Sequence, residues 1–391
     1  MDNEGRTRHD IEHAPAPARR PAVRQGRSQM SHIVEPIPGP VRDAPETSRT
    51  VAAPRLARHQ IRLADGHLVG VSVAGEGIPL VVVHGFSAEG FLYAQTLSRL
   101  VAMGFKVIAI DTAGHGNTQG LPADGHSLSD YSELLGRIID ELGIKHCILA
   151  GHSMGGRLVA NLAAQRPDRT IAVLLIDAIV GDTWDKMVYL FRVAPPLLAG
   201  VSAALVVDSL GVIPLFRDPK QAAKLLRLVT PTLAGHVVRP WRLAGPMVSI
   251  LRSRSSRYAL NELSHHHVPV FALHGDHDLP VPLRTARETV DRTGGTLVTI
   301  ESAGHSWMLR DPETFPAIVA ELMEGPLGEA CVTALRRAGA RSDHPTPAEA
   351  EKLCLWRGAR IRTLTPLDHG VVTSGKHRRP RYHWTIEPAH A

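Results

Sequence analysis

Three cysteines in 391 residues are too few and too scattered for a disulfide framework. Cys147, Cys331 and Cys354 share neither metal-ligand spacing nor a redox pair. Cys147 lies in an apolar run, where a free thiol acts as a small hydrophobe. That usage fits a reducing compartment and points to a cytoplasmic protein. The N-terminus carries arginines but no continuous apolar stretch, so no secretory signal is expected. No internal repeat is present. Positive charge is also missing where a nucleic-acid groove would need it. The formal charge is +6, but residues 1–56 hold nine Arg against seven acids and residues 326–391 hold eleven Lys/Arg against six acids. The middle of the chain is therefore about −1, and no nucleic-acid partner is expected. His265-His266-His267 suggests a metal tract, but three consecutive side chains do not easily converge on one ion and no carboxylate or thiol pattern joins them. It reads as a polar loop, and no metal or cofactor is expected.

What remains is an ordinary globular composition, 43% hydrophobic and 21% charged, in a chain long enough to bury a sizeable core. Residues 1–56, rich in Ala, Pro and Arg, read as a disordered tail. Met30 is an alternative start, since nothing before it is needed for a fold. From Gln60 the pattern becomes a hairpin with Asp65-Gly66 as its turn. Leu80 to Val83, Val107 to Asp111, Ile148 to Ala150, Ile171 to Ile176, Val268 to Leu273 and Leu297 to Ile300 are short apolar strands. They alternate with helical stretches such as Leu128, Tyr131, Leu135, Ile138, Ile139 and Leu142. Such alternation predicts an α/β fold, a mostly parallel sheet wrapped by helices.

Residues 57–182 and 259–325 form this core, interrupted by an apolar, helix-like insertion over residues 183–258. Its run from Val193 to Phe216 carries one charge, Asp208, and meets the length rule for a membrane span. The internal Pro and Gly, and its place between two strands, favour a helical cap instead. Membrane contact through that apolar cap is the alternative. Arg252, Arg254 and Arg257 read as a solvated face. Residues 326–391, again rich in Arg, Pro and Ala, are expected to be a basic, disordered tail.

The chemistry sits at Gly151-His152-Ser153-Met154-Gly155, which follows an apolar strand and opens a helix. A strand-to-helix turn this tight strains its central residue and admits only small neighbours, which holds the Ser153 hydroxyl clear of the sheet. A serine needs a base, and the base needs an acid to orient it. Asp278 follows the strand ending at Leu273, and His305 follows the strand ending at Ile300. Strand ends on one edge of a parallel sheet are where such groups converge. Asp276 and Asp177 are alternative acids. His84, His115 and His152 read as residues that hold loop backbones by hydrogen bonds.

With the His84-Gly85 loop, Asp111…Gly114-His115-Gly116, the elbow, Gly275-x-x-Asp278-x-x-x-Pro282 and Gly304-His305, the chain resembles the α/β-hydrolase superfamily, in its cap-bearing, esterase-like branch. The likeness spans roughly residues 58–325 without the cap. It implies the α/β-hydrolase fold, a nucleophile at Ser153, an acid at Asp278, a base at His305, and an oxyanion hole from the backbone N–H groups of Phe86 and Met154. A Ser nucleophile argues against the dehalogenase and epoxide hydrolase branches, which place Asp there. The apolar cap (Leu197, Leu198, Leu205, Val206, Val207, Leu210, Ile213, Leu215) suggests a small hydrophobic substrate, cleaved at an ester through an acyl-enzyme. Carbon–carbon hydrolases of ring-cleavage diketones and cofactor-free perhydrolases carry similar elbows. A ligand receptor on a hydrolase scaffold is the alternative of another class.

Overall fold

The computed structural model describes residues 52–54, 56–86, 93–122, 127–211, 241–364, 371–373 and 379–388, with isolated positions 223, 226, 230 and 238. In chain order, β1 (Ala52–Pro54) precedes the hairpin of β2 (Ala57–Arg62) and β3 (Leu68–Ala74). The hairpin turns at Asp65-Gly66, where the Asp65 carboxylate accepts the His67 N–H at 3.1 Å and Gly66 adopts φ 89°. β4 (Ile78–Val83), α1 (Ala94–Ala102), β5 (Phe105–Ile110), α2 (Leu128–Leu142), β6 (Cys147–His152), α3 (Met154–Gln165) and β7 (Thr170–Ile176) follow. α2 is closed at both ends by local chemistry. Ser127 and Asp130 form a reciprocal capping box, and Gly143 ends the helix in the left-handed region.

After β7 the alternation breaks. The insertion holds α4 (Asp182–Val193), α5 (Pro195–Gly211) and α6 (Trp241–Leu251). α4 turns Trp184, Val188 and Phe191 inward, one helical face. Pro195 and Pro196 open α5, where a missing N–H costs no hydrogen bond. At 17 residues α5 is about 25 Å long, short of a bilayer core. Among the described residues no helix is long and apolar enough to cross a membrane. Pro214, Pro231, Pro240, Ile213 and Leu215 lie outside the described residues.

The chain then returns through α7 (Arg257–His265), β8 (Val270–Gly275), α8 (Arg284–Thr293), β9 (Thr296–Ile300), α9 (Trp307–Arg310) and α10 (Thr314–Met323). His265, His266 and His267 are exposed at the end of α7, as a polar loop would be. Arg252, Arg254 and Arg257 are exposed too, and Arg257 pairs with Asp182 at 2.8 Å.

Nine strands form one sheet in the order β11-β9-β8-β7-β6-β4-β5-β3-β2. The six strands from β9 to β5 pair in parallel, β3 and β11 run against them, and β2, antiparallel to β3, runs in their direction. The parallel strands are apolar almost throughout because helices cover both faces. One face packs on α2, α3 and α7, through Leu135, Leu158 and Leu260 among others. The opposite face packs on α1 and α10, through Leu97, Leu100, Phe315 and Ile318.

One expectation is overturned. Residues 326–391 are not simply a tail. α11 (Pro326–Arg337) buries Leu327, Cys331 and Leu335, a stripe at i, i+4 and i+8, in the second face of the core. α12 (Pro347–Cys354) has its own capping box, Thr346 with Glu349, and adds Ala350 and Cys354 to that face. Glu351 meets Lys106 of β5 in a largely buried ion pair at 3.1 Å. β10 (Val371–Thr373) pairs with β1, and β11 (Trp384–Glu387) runs antiparallel beside β9. At the other end, residues 1–51 and 55 of the expected tail lie outside the described residues, and Ala52–Pro54 form β1.

If the C-terminal helices belong to the core, Leu327→Ala should lower unfolding free energy by about 2–5 kcal/mol. A denaturant midpoint equal to that of the unaltered protein would show α11 to be dispensable.

Candidate active site

The turn between β6 and α3 is tightly crowded backbone. A Cβ on Gly151 would lie 2.3 Å from the Gly155 carbonyl oxygen, and one on Gly155 would lie 2.3 Å from that of Val83. A Cβ on Gly156 would come within 2.4 Å of the Ala178 methyl. Ser153, between them, takes φ 53° and ψ −117°, a conformation costing about 1–3 kcal/mol for a residue with a side chain. Neighbouring bonds hold it there. Its N–H donates to Ile176 O at 2.9 Å, and its own carbonyl accepts from Gly156 and Ile179 at 3.1 and 3.2 Å.

Two other strand ends meet this turn. The loop after β8 brings Asp278, and the loop after β9 brings His305. His305 Nδ1–H donates to Asp278 Oδ2 at 2.7 Å. The other carboxylate oxygen, Oδ1, accepts the Val281 N–H at 2.7 Å, so Asp278 is fixed in orientation. That leaves Nε2 of His305 as the nitrogen able to take a proton. Asp276, the alternative, is exposed. Asp177 is wholly buried, but its oxygens accept from the Gly275 N–H at 2.9 Å and the Trp307 indole N–H at 2.6 Å. It ties the β8 and β9 loops together instead of orienting His305.

The loop after β4 closes the remaining side. Gly85 lies so near the elbow that a Cβ there would be 3.0 Å from Ser153 Cβ. Phe86 follows it, half-buried against the core. Met154 opens α3, where helix geometry leaves the N–H without an intrahelical acceptor. Both predicted oxyanion donors thus sit on segments adjoining Ser153.

The three loop histidines act on backbone. His84 accepts the Thr112 N–H through Nε2 at 2.9 Å and binds Gly85 O through Nδ1 at 2.8 Å. His115 Nδ1 lies 3.1 Å from Ala113 O and 3.0 Å from the Thr112 hydroxyl. His152, beside the serine, bonds through Nε2 to the backbone carbonyl of His305 at 2.9 Å. A carbonyl only accepts, so Nε2 carries the proton and Nδ1 accepts from the Tyr93 hydroxyl at 3.0 Å. The Tyr93 oxygen also takes a hydrogen bond from Gly85. One chain of bonds thus joins the Gly85 loop to the His305 loop, and Tyr93 is a member that no motif marks.

Electrostatics separate the histidines. Burial pushes His152 down to about 3, helped by nearby His305, so it stays neutral. Burial lowers His274 as well. For His305 burial also disfavours charge, but the Asp278, Asp177 and Asp208 carboxylates outweigh it and raise the group to about 9. Burial and the Asp278 charge push Asp177 well above the usual carboxylate range. Asp177, His274 and Asp278 are also close enough to hold a cation, but Asp278 is committed to His305 and Val281, and His274 Nε2 to Val281 O at 2.8 Å.

The family described as "Serine aminopeptidase, S33" matches residues 79–313. A Mycobacterium phage D29 protein with a provisional non-heme haloperoxidase designation is 34% identical over 267 residues, 66% of this chain and 92% of that one. The monoacylglycerol lipase of Mycolicibacterium smegmatis is 26% identical over 217 residues, 54% of this chain and 74% of the lipase. Among solved structures, a thermophilic esterase from Thermogutta terrifontis superposes with a TM-score of 0.52 at 20% identity, covering 68% of this chain and 98% of the esterase.

His152 and His274 resist protonation when folded but not when unfolded. Their contribution to stability is present above pH 6.5 and lost as pH falls toward about 3 for His152. Histidine titration by NMR should find His152 neutral at pH 5 and His274 protonating only below its ordinary range, and a His152 resonance titrating near 6.5 would contradict the buried bond to His305. Replacing Tyr93 with Phe removes the donor to His152 Nδ1. It should slow Ser153 chemistry severalfold without unfolding the protein, as read by reaction with an active-site probe beside a thermal melt.

Proposed function

From a chain that belongs to the serine aminopeptidase S33 family of α/β-hydrolases, we propose a serine hydrolase that cleaves an ester of a small hydrophobic substrate through an acyl-enzyme. The observation that carries the reading is the meeting of three strand ends. A strained Ser153 lies beside the Gly85 loop, and an imidazole 2.7 Å from a buried carboxylate is carried on a loop bonded to the serine's neighbour.

The steps follow from the groups present. Ser153 Oγ attacks the acyl carbon while His305 Nε2 takes its proton. The imidazolium formed is stabilised by Asp278 through Nδ1–H, which also fixes the tautomer. Negative charge appears on the substrate oxygen only as the tetrahedral species forms. The N–H groups of Phe86 and Met154 are the candidate donors to it, and losing one costs about 3 kcal/mol. Collapse expels the alcohol, protonated by His305, and a water deprotonated by the same nitrogen releases the acid.

The cap argues for an apolar substrate. α5 carries no Lys or Arg, and Leu198 and Val201 pack against the core while Leu197 and Val207 stay exposed. The three cysteines are free and buried, which suits the cytoplasmic setting expected for it.

The phage relative's designation favours a second reading, in which hydrogen peroxide resolves the acyl-enzyme in place of water. The acyl group then leaves as a peracid and Ser153 is restored, with no metal or redox cofactor needed.

A fluorophosphonate should label Ser153 and leave Ser153→Ala untouched. Labelling depends on neutral His305, so its rate should rise with pH through the alkaline range, with the acid limb above 6.5 and toward 9. No adduct on Ser153 in folded protein would end the acyl-enzyme reading. A panel of p-nitrophenyl esters against p-nitroanilides then decides between ester and amide cleavage. Added peroxide should yield peracid only under the second reading.

A further inference from the structure

The cap sends one acidic side chain into the site. Asp208, near the end of α5, is the only charged residue in that helix. A carboxylate on an otherwise apolar helix loses hydration where the helix packs, and needs a donor in return. It finds one on the loop that bears the base. Asp208 Oδ2 accepts the Ser306 N–H at 2.8 Å, one residue after His305. Its other oxygen presses on the residue before His305, where a Cβ on Gly304 would lie 2.2 Å away. Any side chain there would push the carboxylate off, so Gly304 is the residue that lets Asp208 approach. The cap thus grips His305 from both sides in sequence.

We propose that Asp208 is a positioning residue, latching the cap to the base-bearing loop and lending its charge to the imidazolium of His305. The proposal rests on the reading of Ser153, His305 and Asp278 as hydrolytic machinery. The groups that face His305 are Asp278 after β8, Asp177 after β7, neutral His152 on β6, His274 on β8, and Asp208 from α5. Asp278 and Asp177 are fixed by sheet loops, but Asp208 travels with the cap. Moving the cap away would take a negative charge from the base and an acceptor from Ser306 in one step. Seating of the cap over substrate and the proton affinity of the base are therefore coupled.

The test uses the full chain and the pH dependence of fluorophosphonate labelling, which needs no knowledge of the substrate. In Asp208→Asn the amide oxygen still accepts from Ser306, but the charge is gone. The acid limb should move to lower pH by roughly half a unit or more, with the alkaline plateau within about twofold of the original. Asp208→Ala loses the acceptor as well, and should label severalfold more slowly at every pH, with the same displaced limb. NMR titration of the His305 imidazole in the unaltered and Asp208→Asn proteins reads the charge effect without turnover. Superimposable His305 titrations, or an Asp208→Ala protein that labels like the original, would overturn the latch. Failure of the unaltered protein to label, with the His305 titration still displaced, would instead count against the hydrolase reading alone.

Discussion

The structure depends on the absence of side chains where β6 turns into α3. Backbone from Val83 and Gly155 and the methyl of Ala178 fill the space that a Cβ on Gly155, Gly151 or Gly156 would need. Because the turn cannot relax, Ser153 is kept at a positive φ that no isolated serine would choose. Strain of this kind persists only where surroundings over-determine it. Here they do so through bonds to Ile176 at the end of β7, to Gly156 in the first turn of α3 and to Ile179 in the loop after β7. The sheet supplies the rigidity, and the elbow converts it into an exact backbone posture for one residue.

Around that point the molecule arranges charges by depth. Asp177, His274, Asp278 and His305 are buried together; the first three each have a backbone or indole partner, and His305 bonds to Asp278. Backbone donors from Gly275 and Val281 keep the two carboxylates apart in role. One binds loops together and the other is left to the imidazole. His152 remains neutral a few ångströms from a histidine that favours charge, chiefly because it is buried and also because a second imidazolium would face the first at a ring separation of 4.8 Å.

Much of this was legible in the sequence, and the reasons differ by residue. The elbow is a contiguous signal, and Asp278 and His305 each follow an apolar strand, so pattern alone brings them to one sheet edge. The loop-holding parts of His84 and His152 follow from their places beside strand ends. Tyr93 and Asp208 were not legible as site residues. Their partners are 59 and 98 positions away, at His152 and Ser306, and nothing local marks such a contact. Asp208 did stand out as the lone charge in an apolar run, a signal without a destination. The C-terminal region was misread because Arg, Pro and Ala dominate its composition. The stripe of Leu327, Cys331 and Leu335, and the Thr346-Pro347-x-Glu349 capping signal, were present but outweighed.

The placement of β11 carries a consequence of its own. A parallel sheet that stopped at β9 would present a row of free amide and carbonyl groups to any passing chain. Trp384 to Glu387 occupy that row, from Ile300 back to Leu297. The edge of the sheet thereby passes from β9 to a strand of only four residues, a short row that offers another chain little length to pair with.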